Sequence, residues 1–263
     1  MFTDIHTHAF HPKICRQAVA ALNAEYDINC VGDGTTDDML RRARAAGIDR
    51  CVVLCAATTG EQVVPANNFA MSLNREHPDE ITAFGTIHPD YADWEAELAR
   101  MKENGIRGIK LHPDLQHFRL DDPRLLPIFD AAQDDFIFLL HIGSVCEPAE
   151  SPSCPYKMAA ILKRFPRLRA VSAHLGGYRQ WKHSMESLVG KPVWLDTSSC
   201  SPFLPPEMLR TMLRRHPQEY LLFGSDYPVY DPNEEIERLQ RQGDVSDSSL
   251  ERYMRNVEAL LNS

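Results

Sequence analysis

Residues 136–140 read Phe-Ile-Phe-Leu-Leu, an unbroken apolar run between Asp134-Asp135 and His141. A strand with one wet face alternates apolar and polar residues, so such a run suits a strand covered on both faces. Parallel strands flanked by helices meet that condition; half-exposed hairpins do not. The rhythm recurs along the chain. Strands are predicted at 1–8, 50–55, 81–87, 106–111, 136–141, 168–174, 193–196 and 220–225. Helices are predicted between them at 12–23, from Thr36 as N-cap to a stop at Gly47, at 66–76, 94–104 and 123–135 with Pro123 in the first turn, and at 156–165. Further helices run from Gly177 to about Val189 and from near Pro205, and two more lie near 233–242 and 247–261. Eight βα units in about 250 residues is the count and length of a closed (β/α)8 TIM barrel. A doubly wound sheet also alternates, but no Gly-x-Gly-x-x-Gly follows the first strand. No low-complexity linker divides the chain, so 1–263 is expected to form a single domain.

Composition narrows the function classes. The chain is 43% hydrophobic and 25% charged, as in an ordinary soluble globular protein with a sizeable core. No stretch approaches the ~18 unbroken apolar residues of a membrane helix. Asp4 and His6 stand where a secretory signal places cations and an apolar run, so a cytoplasmic address is expected. The net charge of −9, from 28 Lys+Arg against 37 Asp+Glu, disfavours a nucleic-acid partner. The seven cysteines are odd in number and lack Cys-x-x-Cys spacing, so reduced thiols are expected, with Cys51 and Cys55 as small buried residues. The expected partner is a small-molecule substrate, with no nucleic acid and no membrane; a homodimer is compatible.

Active sites of TIM barrels form at the C-terminal ends of the strands. There the first predicted strand carries His6 and His8, the fourth Lys110 and His112, and the fifth His141. His174 ends the sixth, Asp196 the seventh, and Asp226 follows the eighth. Two residues apart on a strand, His6 and His8 project to the same side, and neutral imidazole is the commonest metal ligand. Taken singly, each has a plain structural explanation: a solvated His112, a turn residue at Asp226. One shared site accounts for all of them together. Asp196 reads as a group that orients another side chain or caps the following loop.

Six motifs carry a family resemblance: Asp4-Ile5-His6-Thr7-His8, Gly108-Ile109-Lys110-Leu111-His112-Pro113, Leu140-His141-Ile142-Gly143, Ala173-His174-Leu175-Gly176-Gly177, Leu195-Asp196-Thr197-Ser198 and Gly224-Ser225-Asp226-Tyr227-Pro228. In order and content the set resembles the amidohydrolase superfamily, in the amidohydrolase-related branch that includes aminocarboxymuconate-semialdehyde and resorcylate decarboxylases. Asn256 is similar to a common family tail. The resemblance implies that His6, His8, His141 and Asp226 ligate a metal, and that His174 faces the substrate. It leaves Lys110 either as a contact to a substrate anion or, as in binuclear members, as a carboxylated bridge; the first is favoured. Asp4 is expected to support the site without ligating.

An open position on such a metal activates water, with Zn²⁺ the expected ion and Mn²⁺, Fe²⁺ or Co²⁺ also suited to nitrogen and oxygen donors. Asp226 is expected to accept the water proton, and His174 and Lys110 to stabilise the oxyanion. The expected reaction is hydrolysis of an amide, lactone or related ester in a small polar, carboxylated molecule. Non-oxidative decarboxylation is the alternative, because the same ligands serve it; the compact chain, without the extra loops of known decarboxylases, favours hydrolysis. TatD-type nucleases share the barrel and the His-x-His but place a glutamate where this chain has Lys110, and the acidic balance counts against a polyanion. A non-catalytic barrel scaffold fits poorly with so complete a metal set. The loops Gln116-His117-Phe118-Arg119 and Tyr178-Arg179-Gln180-Trp181 combine aromatic walls with cations. Expected substrate contacts are therefore Lys110, His112, Phe118, Arg119, Tyr178, Arg179, Trp181 and Tyr227, with Tyr230 at the same mouth and 142–156 as part of a lid. Simple packing of these aromatics against the barrel is the competing reading.

Overall fold

Ile137 and Leu139 join Val52, Leu54, Phe84, Val171 and Leu222 in one apolar cluster that fills the barrel. Phe136, Phe138 and Leu140, the alternate residues of the same run, pack into the larger layer between sheet and helices. The apolar run thus reflects burial on both faces, and alternation still assigns each side chain its side.

The structure, a computed structural model, describes residues 1–263. Eight strands pair in sequence order into one parallel sheet: β1 (Thr3–Thr7), β2 (Arg50–Leu54), β3 (Ile81–Thr86), β4 (Gly108–Leu111), β5 (Ile137–Leu140), β6 (Arg169–Ser172), β7 (Trp194–Asp196) and β8 (Leu221–Leu222). The segment after β8 closes the barrel: Ile5 N–H donates to Phe223 O at 3.0 Å, and Asp226 N–H to His6 O at 2.8 Å. The expected (β/α)8 barrel is the observed fold.

Helices α1 (Cys15–Tyr26), α2 (Thr36–Ala45), α3 (Val63–Glu76), α4 (Trp94–Glu103), α5 (Leu125–Ala132) and α6 (Pro155–Arg164) follow the early strands. After β6 come a tight turn, α7 (Ala173–Gly176), and α8 (Trp181–Ser187); α9 (Pro206–Arg215), α10 (Pro232–Gly243) and α11 (Asp247–Leu261) complete the chain. Val257, Leu260 and Leu261 of α11 belong to the interior cluster and plug the barrel at the end opposite the strand C-termini.

Local physics displaces several expected boundaries. Thr35, not Thr36, caps α2: its extended backbone lets Oγ1 accept the Asp38 N–H at 3.1 Å. Helix α5 begins at Leu125, past Pro123, because residues 122–126 make turn bonds instead. The helix expected from Gly177 to about Val189 spans only Trp181–Ser187, preceded by a tight turn in which His174 and Leu175 take left-handed φ of 59° and 50°. Strand β8 is two residues long because the chain after Leu222 leaves its β7 register to reach β1. No helix is long and apolar enough to cross a membrane.

Candidate metal centre

Three backbone features aim the first and last motifs at each other. Asp4, fully buried, accepts the N–H of His6 at 3.0 Å and of Ser225 at 3.1 Å through one oxygen, tying β1 to the segment after β8. Gly224 lies so close that a Cβ there would come within 2.8 Å of the His6 Cβ. Asp226 sits at φ 64°, a left-handed conformation that costs a non-glycine residue about 1–3 kcal/mol and turns its carboxylate into the barrel mouth.

Hydrogen bonds fix which imidazole nitrogens are free. His6 Nδ1–H donates to Asp196 Oδ2 at 3.0 Å, so Nε2 keeps its lone pair, 3.3 Å from Asp226 Oδ1. His8 Nδ1–H donates to the Leu54 carbonyl at 3.0 Å, which leaves Nε2 3.6 Å from the same Asp226 oxygen. Asp226 Oδ2 accepts from the Ser199 hydroxyl. Asp196 Oδ1 accepts the backbone N–H of His174 and of Ser198, both at 3.0 Å. Asp196 therefore orients a ring and caps the loop after β7, both roles expected of it.

His141 and His174 form a relay. His174 Nδ1 lies 3.1 Å from Ser198 O and 2.9 Å from its hydroxyl, so that nitrogen carries the proton. His174 Nε2 then accepts from His141 Nδ1–H at 3.0 Å, leaving Nε2 of His141 as its free acceptor. His6, His174 and Asp226 bring one donor atom each within 4.8 Å of one another, and His112, Asp114 and His141 form a second such group. In the second group the rings of His112 and His141 stack 3.8 Å apart at 14°, so their lone pairs run parallel instead of converging. That group does not fit a single ion. Nε2 of His6 and of His8 converge on one oxygen of Asp226 with their second nitrogens already occupied, and these three fit one ion. His141, expected as the fourth donor, keeps a free Nε2 but gathers with His112 and Asp114, while His174 gathers with His6 and Asp226.

Charge states agree with that fit. Burial, then the charge of Lys110, pulls His6 down to about 4. Burial likewise holds His141 and His112 well below the ordinary imidazole value. Burial resists ionisation of Asp196 and Asp226, but the pull of His6 and the bonds from the flanking histidines outweigh it; Asp196 falls to about 2 and Asp226 lies well below its usual range. Neutral imidazoles beside ionised carboxylates are what a divalent cation needs. Lys110, 1% exposed with Nζ 3.4 Å from His6 Nε2, is lowered by burial to about 8. Asp4 is raised by burial to about 7 and stands behind the site as a support.

The centre forms the floor of a cavity of about 1000 Å³. Of the expected contacts, Lys110, His112 and Tyr178 line it; five others do not. Phe118 turns inward, edge-on to His88 at 5.7 Å, and Arg119 pairs with Asp121 at 3.2 Å. Arg179 lies flat over Phe203 at 3.8 Å, and Trp181 donates its indole N–H to His174 O at 2.9 Å, bracing that residue from behind. Tyr227 is fully buried, with its hydroxyl donating to Asp38 Oδ2 at 2.8 Å and accepting from Gly34 N–H at 3.2 Å. Phe118, Trp181 and Tyr227 are buried against the barrel, whereas Arg119 and Arg179 stay at the surface on partners of their own. The 142–156 loop also stays clear of the cavity: Gly143 N–H donates to Ser153 O at 2.8 Å and folds the loop on itself.

Tyr230 lines the cavity as expected, but most of the walls come from regions with no motif in the sequence. Ile14, Ala18 and Leu22 of α1 face Ala66 and Phe69 of α3, with Tyr26, Phe203 and Tyr230 completing the mouth. Their sequence pattern is that of any amphipathic helix packed on a sheet, so nothing separated a cavity wall from a packing face. Ser198 and Ser199 were legible only as neighbours of Asp196.

A family model described as Amidohydrolase matches residues 3–256. Comparison with curated proteins gives no match. Among solved structures, an uncharacterised TIM-barrel protein of Bordetella bronchiseptica is similar at TM-score 0.77 and 18% identity, covering 99% of this chain and 98% of that one. A dihydroxybenzoic acid decarboxylase of a Polaromonas species, with bound manganese and an inhibitor, aligns at TM-score 0.71 and 14% identity over 99% and 96%. A probable 2-pyrone-4,6-dicarboxylic acid hydrolase of Acinetobacter baumannii aligns at TM-score 0.71 and 14% identity over 100% and 99%.

Proposed function

This chain belongs to the amidohydrolase family of metal-dependent enzymes, and on that premise we propose that it hydrolyses an ester, lactone or amide bond. The metal centre this requires is supported by the convergence of His6 Nε2 and His8 Nε2 on one oxygen of Asp226, with both opposite nitrogens locked by Asp196 and the Leu54 carbonyl. The compact chain, without added loops, favours hydrolysis there. His6, His8, His141 and Asp226 would hold a divalent ion, with zinc favoured by three nitrogen donors and manganese the main competitor. Such an ion supplies polarisation of a substrate oxygen and a readily ionised water.

The side chains supply the rest. Asp226 is the carboxylate that accepts the water proton, and Ser199 fixes its second oxygen. Lys110 places positive charge in a dry floor, where it stabilises an oxyanion. His174 is held by Ser198 on one side and accepts from His141 on the other, so it acts as a positioning residue that fixes the His141 ring. The substrate has an apolar or aromatic body; Arg119 and Arg179, from which a carboxylated molecule was expected, stay outside the cavity, whereas Lys13 and Lys110 line it. Seven free thiols suit a reducing, cytoplasmic setting.

Decarboxylation uses the same ligands and is the second reading, favoured by the fold likeness to the manganese-bound decarboxylase. Metal-replete enzyme assayed against aryl esters, lactones, anilides and hydroxybenzoates separates the two. Products that have gained water support hydrolysis; carbon dioxide release without hydration overturns it.

A further inference from the structure

Helix α1 overhangs the cavity with Cys15 as its one buried residue. Ile14, its N-cap, lines the cavity and is still 50% exposed. A wall of this kind presents an apolar face that a bound molecule covers. At the far end of α1, the Tyr26 hydroxyl oxygen lies 3.0 Å from His112 Nε2. His112 Nδ1 accepts the Leu115 N–H at 3.3 Å, so the ring proton is on Nε2 and is donated to Tyr26. The Tyr26 O–H is consequently left with its own proton to give and no acceptor in the protein. Tyr178 meets the Tyr26 ring edge-on at 6.2 Å, which fixes where that hydroxyl stands. His112 also stacks on His141, so the unused donor opens on the same cavity but is set off from the reaction centre by the His112 ring.

We propose that Tyr26 is a specificity-determining residue, donating its hydroxyl proton to a second oxygen of the substrate remote from the bond being cleaved. This rests on the reaction centre assigned above. The substrate class it selects is an ester, lactone or amide with an apolar or aromatic body and a carbonyl, carboxylate or ether oxygen at its distal end. A molecule lacking that oxygen fills the same walls but leaves the Tyr26 proton unpaired.

Two probes of similar size test the assignment by calorimetry on the metal-loaded enzyme: methyl 4-hydroxybenzoate, which has the distal carbonyl, and 4-propylphenol, which lacks it. The wild type is expected to prefer the first by about five- to tenfold, the worth of one neutral hydrogen bond, and Tyr26→Phe to erase the preference. His112→Phe, which keeps the stack but frees the Tyr26 oxygen to rotate, should weaken it as well. No preference in the wild type, or a preference that survives Tyr26→Phe, overturns the proposal. Turnover of methyl 4-acetoxybenzoate is measured in parallel, and Tyr26→Phe should act mainly on KM. A Tyr26-dependent binding preference without ester turnover would instead sink the hydrolysis reading and leave Tyr26 in its role.

Discussion

His6 Nδ1 lies 3.0 Å from Oδ2 of Asp196, a carboxylate with no exposed surface. The contact holds the His6 ring in the tautomer whose Nε2 faces Asp226. Supporting partners of this kind are worth about 10–100-fold in metal affinity. Asp196→Asn is therefore expected to weaken metal retention by that factor while the protein stays folded, as read by competition with a chelator. Unchanged affinity would mean that the ring is held by other contacts.

His6→Ala and Asp226→Asn should each abolish turnover, because each removes a donor from the converging set. Metal content by elemental analysis should fall with them. Near-normal activity in either variant would overturn the site assignment.

His174→Asn separates a metal ligand from a positioning residue. His174 is hydrogen-bonded at both nitrogens, so its loss should leave the metal in place and cost about 10–100-fold in rate through a misplaced His141 ring. Loss of the metal instead would make His174 a ligand.

Tyr227 belongs to the scaffold, and Tyr227→Phe tests that. Removing the bond to Asp38 should lower unfolding free energy by about 1 kcal/mol with KM unchanged. A large KM change would return Tyr227 to the substrate site.

Acid should destabilise the fold partly through His216. Its ring is 2% exposed, Nε2–H donates to Val193 O at 2.9 Å, and burial lowers it to about 4. An unfolded histidine titrates near 6.5, so between those values the unfolded chain binds more protons and stability falls as pH drops from about 6.5 to 4. Denaturant unfolding of wild type and His216→Gln across that range checks the sign: the variant should lose less stability on acidification.

The chain by itself determined the barrel and the ends of its strands. Phe136 to Leu140 is buried on both faces, and that kind of run repeats between helical segments, so local pattern alone specifies parallel strands and where they stop. His6, His8, His141, His174 and Asp226 follow, since a barrel gathers strand C-termini whatever their separation in sequence. The tertiary structure decided what closes over them. Phe118 and Tyr227 turned to the core and Arg179 to Phe203, while Tyr26 and the α1 face turned to the cavity. Periodicity says that a helix face is apolar; only the packed neighbours determine whether protein or ligand covers it. The tautomers of His6 and His174 rest on Asp196 and Ser198, partners about 190 and 24 residues away, a pairing that exists only once the barrel has closed.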